Sequence, residues 1–226
     1  MRSSALPPTD ENIKSTLLED AIGRNEDLRR FLRLLDNLEG SYSIALDSGW
    51  GSGKTFFVRQ AKLALDCLNG NPHVGVDEET RIGVVSEIQD KSKDERYTVK
   101  RTYATVYYDA WKNDNHEDPI ITLLYSFATQ LAVERSEGKS RELSEIALSI
   151  IDAVTGRDIS AIKKAIDGNN LFDSITNEET IQEKFSSLVT RLREERGDRL
   201  VVFIDELDRC SPIFAIKLLE RVKHYL

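Results

Sequence analysis

The sequence predicts an α/β fold, a parallel sheet with helices packed on it, and three stretches carry the prediction. Tyr42, Ser43, Ile44, Ala45 and Leu46 form a strand-like run that passes through a glycine-rich segment into a helical pattern. Residues 102–108 alternate and are rich in β-branched and aromatic side chains, which suits a pleated, half-buried strand. Residues 200–204 are a continuous apolar run, the pattern of a strand buried on both faces of a parallel sheet. Helical patterns lie between these stretches.

From the N-terminus, residues 1–12 are polar, contain Pro7 and Pro8, and read as a loose tail. Over residues 15–38, Leu28, Phe31, Leu32, Leu34, Leu35 and Leu38 recur at helical spacing. The glycine-rich segment reads Ser48-Gly49-Trp50-Gly51-Ser52-Gly53-Lys54-Thr55. A triphosphate needs many donors at short range, and backbone N–H groups supply them where no side chain blocks the approach. Gly49, Gly51 and Gly53 give that freedom, because glycine tolerates positive φ. Lys54 would place a point charge on the β- and γ-phosphates, and Thr55 would give its hydroxyl to Mg²⁺. Phe56 opens the helical run 56–65, whose N-terminal dipole favours an anion. One position departs from the phosphate-loop template: Ser48 stands where a glycine is expected, and neighbouring Gly49 is the candidate to take over its turn.

Asn69, Gly70, Asn71 and Pro72 mark a turn, after which residues 81–88 and 97–99 read as two short strands of an inserted hairpin or loop within 69–100. Asp109 and Trp111 follow the strand at 102–108, at the carboxyl end where open α/β sheets bind ligands. Trp111 reads as an aromatic packing the strand end, and Asp109 as a loop-positioning or outer metal-shell group. An amphipathic helix over 119–133 carries Ile120, Ile121, Leu123, Leu124, Phe127 and Leu131. Residues 134–199 read as helical throughout, with Leu143, Ile146, Ile150 and Ile151 suiting one helix and Phe185, Leu188, Val189 and Leu192 another.

The strand at 200–204 ends in Asp205 and Glu206, about 150 residues after the glycine-rich loop. Asp205 is placed to hold Mg²⁺, directly or through water, and Glu206 to orient and deprotonate an attacking water. Arg209 has two readings, a charge that reaches a γ-phosphate or a partner of Asp208 or a glutamate. A last helix over 214–226 puts Ile216, Leu219, Val222 and Leu226 on one side.

These motifs resemble the KAP family of P-loop NTPases. The loop with Trp50 inside it is similar to the family's Gly-x-Trp-Gly-x-Gly-Lys-Thr variant. Tyr107-Tyr108-Asp109-Ala110-Trp111-Lys112 resembles its Ala-Trp element, and Phe203-Ile204-Asp205-Glu206-Leu207-Asp208-Arg209-Cys210 resembles its Walker B strand. Ile22-Gly23-Arg24-Asn25 is similar to the Gly-Arg segment that precedes the loop, which implies base or ribose contact for Gly23 and Arg24. The resemblance spans about residues 13–226. It implies an ATPase of the additional-strand (ASCE) division, a three-layer sandwich with a helical insertion. In the strand order it implies, the chain stops where a central sensor strand should begin, so the domain is expected to be C-terminally incomplete. It also implies a role in bacterial signalling or phage defence.

Composition narrows the field. The chain has 226 residues and a net charge of −8, enough length for one sizeable core and the wrong sign for a surface that grips nucleic acid non-specifically. Cys67 and Cys210 show no metal spacing, and His73, His116 and His224 are scattered. No apolar run is long enough to cross a bilayer and no secretory signal opens the chain, so a cytoplasmic protein is expected. The expected function is Mg²⁺-dependent ATP binding and hydrolysis driving a switch, through self-association or a protein partner. The alternative is a nucleotide-binding scaffold with negligible turnover that recruits a protein partner. The absence of a guanine-reading Asn-Lys-x-Asp favours ATP.

Overall fold

The computed structural model describes residues 6–69, 76–89, 99–116, 119–133 and 181–225. Among them are seven α-helices and one two-stranded sheet. The chain divides into two compact units, Met1–Thr105 with Gly197–Phe203, and Val106–Arg196 with Ile204–Leu226.

In the first unit, α1 (Asp10–Leu18) begins where the Thr9 hydroxyl accepts the Asn12 N–H at 3.3 Å. Capping of this kind satisfies one of the helix's orphan donors. The stretch expected to be a loose tail is therefore helical from Asp10, and Arg59 ties it down further, donating to Pro8 O and to Asp10 Oδ1 (2.6 Å). α2 (Asn25–Asn37) is a separate helix, because the chain turns at Gly23 with φ +69° instead of running on as one helix over 15–38. Its buried face is Leu28, Leu32 and Leu35, while Leu34 stays exposed. α3 (Lys54–Leu68) packs against α1, α2 and α4, and buries Val58, Ala61, Ala64 and Leu65.

α4 (Glu78–Ile88) replaces the strand expected at 81–88. The reason is local: Asp77 caps the helix by accepting the Thr80 N–H at 2.7 Å, acidic Glu78 and Glu79 sit in the positive first turn, and Thr80, Val84 and Ile88 are buried at a spacing of four. The N–H and hydroxyl of Thr80, with Lys14 beside them, hold the Asp77 carboxyl well below its usual range. The partner strand expected at 97–99 falls mainly outside the described residues.

Residues 42–46 form no strand. Tyr42 is 62% exposed, and Ile44 and Leu46 are each 40% exposed. Their period-2 pattern has no ladder partner among the described residues, and without one an extended segment leaves its backbone groups to water.

The sheet pairs β1 (Tyr103–Asp109) with β2 (Arg199–Asp205). Arg199 N–H donates to Thr102 O at 3.2 Å and Ala110 N–H to Asp205 O at 3.0 Å, so start meets start and end meets end. The strands are parallel, as expected. Of β2 only Phe203 and Asp205 are buried; Leu200, Val201, Val202 and Ile204 are half-buried, not enclosed on both faces. With one paired neighbour among the described residues, the strand keeps part of each apolar side chain at the surface.

The other side of β1 is met by side chains. Tyr103 N–H donates to Asn69 Oδ1 at 2.7 Å, and Asn69 Nδ2 donates back to Tyr103 O. Four residues on, Tyr107 N–H donates to Gln130 Oε1 at 2.9 Å, and Gln130 Nε2 donates to Tyr107 O at 2.7 Å. Each carboxamide offers an acceptor and a donor spaced like a backbone amide, and so stands in for a ladder rung. Gly197 leads into β2 against the start of β1, where a Cβ would lie 2.7 Å from Tyr103 N and 2.8 Å from Thr102 C.

In the second unit, α5 (Pro119–Val133) and α6 (Ile181–Arg196) each pack against α7 (Pro212–Tyr225). Phe127 and Phe185 meet edge-to-face at 6.1 Å between centroids, with Ile120, Leu123, Leu124, Leu188 and Leu192 buried around them. The inward face of α7 is Phe214 and Leu218, one helical turn apart. Of the stripe expected on one side of this helix, Ile216 (58%) and Leu219 (50%) are exposed and Val222 is half-buried. The helices expected over 134–180 lie outside the described residues.

Candidate functional site

The glycine-rich loop belongs to the first unit. Gly51 (φ +73°) and Gly53 (φ +87°) occupy the left-handed region, and Gly53 is the residue from which α3 springs. A side chain there would be strained whatever the space. Gly49 does not use positive φ, so the template glycine lost at Ser48 is not replaced in that way. Ser48 closes the loop by another route: its hydroxyl bonds that of Ser52 at 2.6 Å, and Ser52 N–H donates to Gly49 O at 3.3 Å. Lys54 donates its ammonium to Ser48 O at 2.9 Å. Trp50 stands 84% exposed at the tip. Thr55 and Phe56 are half-buried in the first turn of α3.

A Cβ placed on Gly49 or Gly51 would meet nothing within 4 Å, so open space lies beside the loop. Positive φ at two glycines, open space and the start of a 15-residue helix fit a phosphate group. From α2's start, Arg24 reaches the same loop, its Nη1 lying 3.7 Å from where a Gly53 Cβ would be. Gly23 provides the turn that aims it. Phe31 of α2 and Phe57 of α3 meet at 5.5 Å between ring centroids and fix the two helices behind the loop.

The strand-end residues belong to the second unit. Asp205 is 7% exposed, and both its oxygens have donors: Glu206 N–H to Oδ1 at 2.9 Å, and the Tyr107 hydroxyl to Oδ2 at 2.9 Å. Glu206 adopts the left-handed conformation at φ +59°, ψ 26°. A non-glycine residue is rarely found there, and such outliers gather at functional sites. The turn Leu207–Arg209 that follows is a short 3-10 helix, with Arg209 N–H donating to Glu206 O at 3.1 Å. Arg209 Nε forms an ion pair with Glu206 Oε2, and its guanidinium lies 5.4 Å from the centre of the Trp111 ring. Of the two readings of Arg209, the structure therefore shows pairing with the glutamate. Trp111 is 54% exposed, which corrects the expectation of a core aromatic. Asp109 holds its own loop, accepting Lys112 N–H at 3.1 Å and pairing with Lys112 Nζ at 3.2 Å.

Burial, then Asp114, Asp109, Asp208 and Glu206, push the Cys210 thiol up to about 11. Burial and Asp66 push the Cys67 thiol up to about 12, so both are held as neutral thiols at neutral pH. Among the described residues no group of three or more His, Cys, Asp or Glu is arranged as a metal site, and no helix is long and apolar enough to cross a membrane.

The sequence gives Tyr107 and Gln130 no contact of their own and reads Asn69 only as part of a turn. For Tyr107 the signal was present: a phenol in a strand bordering a carboxylate-tipped strand has a hydroxyl to place. The two carboxamides carry no local signature, because their partners lie 34 and 23 residues away.

Neither curated proteins nor solved structures include a match to this chain. The model of the KAP family P-loop domain matches residues 28–226, a span that takes in the glycine-rich loop, both strands and the Asp205–Glu206 pair. The chain belongs to the KAP family of P-loop domains.

Proposed function

We propose that the chain binds ATP and hydrolyses it with Mg²⁺. The observation that carries this reading is the loop, in which Gly51 and Gly53 stand at positive φ in a turn that opens straight into α3. Such a turn gathers backbone N–H groups and the positive end of a helix for an anion. Residues 48–56 cradle the phosphates, with Lys54 as the charge on them. Gly23 and Arg24 contact the base or ribose. Thr55 and Asp205 hold Mg²⁺, which neutralises charge on the phosphates. Glu206 orients the attacking water and takes its proton, and Arg209 acts beside it.

The fold that accompanies this reading is the additional-strand, three-layer P-loop domain over residues 13–226. The domain works as a switch, in which the nucleotide governs self-association or recruitment of a protein partner. A role in bacterial signalling or phage defence rests on the family alone.

The test is phosphate release from Mg²⁺-ATP by the chain, beside Lys54→Ala and Glu206→Gln. Each substitution is expected to lower release by about 10²-fold or more, the scale of a lost charge-stabilising donor or proton acceptor. No release from the parent chain, with ATP still raising the melting temperature in a Lys54-dependent way, would leave a nucleotide-binding scaffold.

A further inference from the structure

We propose that Trp111 is a positioning residue that acts through Arg209 on Glu206. The inference rests on the reading of Glu206 as the proton acceptor.

Trp111 gains little from the core, since more than half of it is exposed. Its placement is nevertheless tightly defined. It opens the 3-10 turn Trp111–Asn113, which Asp109 organises by accepting Lys112 N–H at 3.1 Å, while the Asn113 side-chain amide donates to Asp109 O at 2.8 Å. The preceding residue, Ala110, is fully buried and donates its N–H to Asp205 O at 3.0 Å. The backbone beneath the indole is thus fastened to the residue directly before Glu206.

A guanidinium over an indole face is held there by the ring's quadrupole. On Trp111 that cation is Arg209, and Arg209 in turn pairs through Nε with Glu206 Oε2. Glu206 itself is constrained at its backbone by positive φ and by bonds on both its N–H and its C=O. Its side-chain torsions are not set by these bonds. Arg209 supplies what the backbone leaves open, one fixed direction for the carboxylate, and Trp111 keeps Arg209 from swinging away. Catalysis by a proton acceptor depends on such placement, because small displacements of a reacting group are costly.

The test uses the full chain in two ways. In a Trp50→Phe chain the indole of Trp111 is the sole tryptophan fluorophore, since the sequence holds two tryptophans. Arg209→Ala is expected to raise acrylamide quenching of Trp111, and Glu206→Gln, which leaves the stacked side chain intact, to raise it by part of the same amount. Quenching unchanged by Glu206→Gln overturns the coupling. In the Trp50-containing chain, Trp111→Ala is expected to lower kcat for phosphate release about tenfold with KM for ATP little changed, and Trp111→Phe to recover most of it. A rise in KM alone, an unchanged kcat, or failure of Trp111→Phe to recover activity overturns the positioning role. Absence of phosphate release from the parent chain defeats the hydrolysis reading instead, and the quenching series still decides whether the three side chains act together.

Discussion

A buried carboxylate with a donor on each oxygen is costly to disturb, and Asp205 is in that position. Its bond from the Tyr107 hydroxyl joins the ends of two strands through one side-chain contact. Hydrogen bonds to charged groups contribute about 1.5–3 kcal/mol. Tyr107→Phe keeps the ring and removes only the hydroxyl, so it is expected to lower stability by roughly 1.5–3 kcal/mol on that scale. Urea unfolding, read as a lower midpoint with unchanged slope, checks it. The same scale shows what a single chain of letters can convey. Lys54 with Thr55, and Asp205 with Glu206, stand out in the letters because each pair's chemistry is tied to short spacing within one segment. The contact of Arg209 with Trp111 does not, because an indole in an Asp-Ala-Trp run reads as packing until its exposure is known.

Elements were legible where the pattern was long. α3, α5 and β1 fall close to the predicted bounds, and their periodicity runs for several turns or alternations. Ile82, Val84, Val85 and Ile88 suit a strand at 81–88, but the Asp77-Glu78-Glu79 start signal prevails and the capped helix α4 forms instead. The strand expected at 42–46 failed for a different reason, since alternation establishes only that a segment suits a ladder and says nothing about whether one is at hand. Gly197 carries a prediction at this scale. With a Cβ forced to within 2.7–2.8 Å of the Thr102 and Tyr103 backbone, Gly197→Ala requires the start of β2 to shift away from β1. Overpacking of this kind costs about 1–3 kcal/mol, and backbone gives way less readily than a side-chain end, so the upper part of that range is expected. Thermal unfolding of the variant measures it.

At the scale of the whole molecule, the buried Cys67 thiol, the half-buried Cys210 thiol and the buried Tyr108 phenol make stability fall at alkaline pH. Burial pushes Cys67 from 9.0 to about 12, Cys210 from 9.0 to about 11 and Tyr108 from 10.0 to about 12. Each folded value lies above the unfolded one, so the unfolded chain loses its proton first as pH rises. Their contribution is complete below about pH 9 and is lost between about 9 and 12. Each fully linked proton adds a slope of about 1.4 kcal/mol per pH unit. Cys67→Ala is expected to be less stable at neutral pH because of the cavity, yet to show a shallower decline above pH 9, with Cys210 and Tyr108 supplying the remaining slope. Denaturant unfolding at a series of pH values tests both halves of that statement.

The carboxamides of Asn69 and Gln130 have one more consequence. A strand can be joined only where its outward amides are unclaimed, and on β1 the outward amides of Tyr103 and Tyr107 are already taken by side chains. At these two positions the border offers another chain, whether a fold partner or an aggregating copy, no unclaimed rung to pair with.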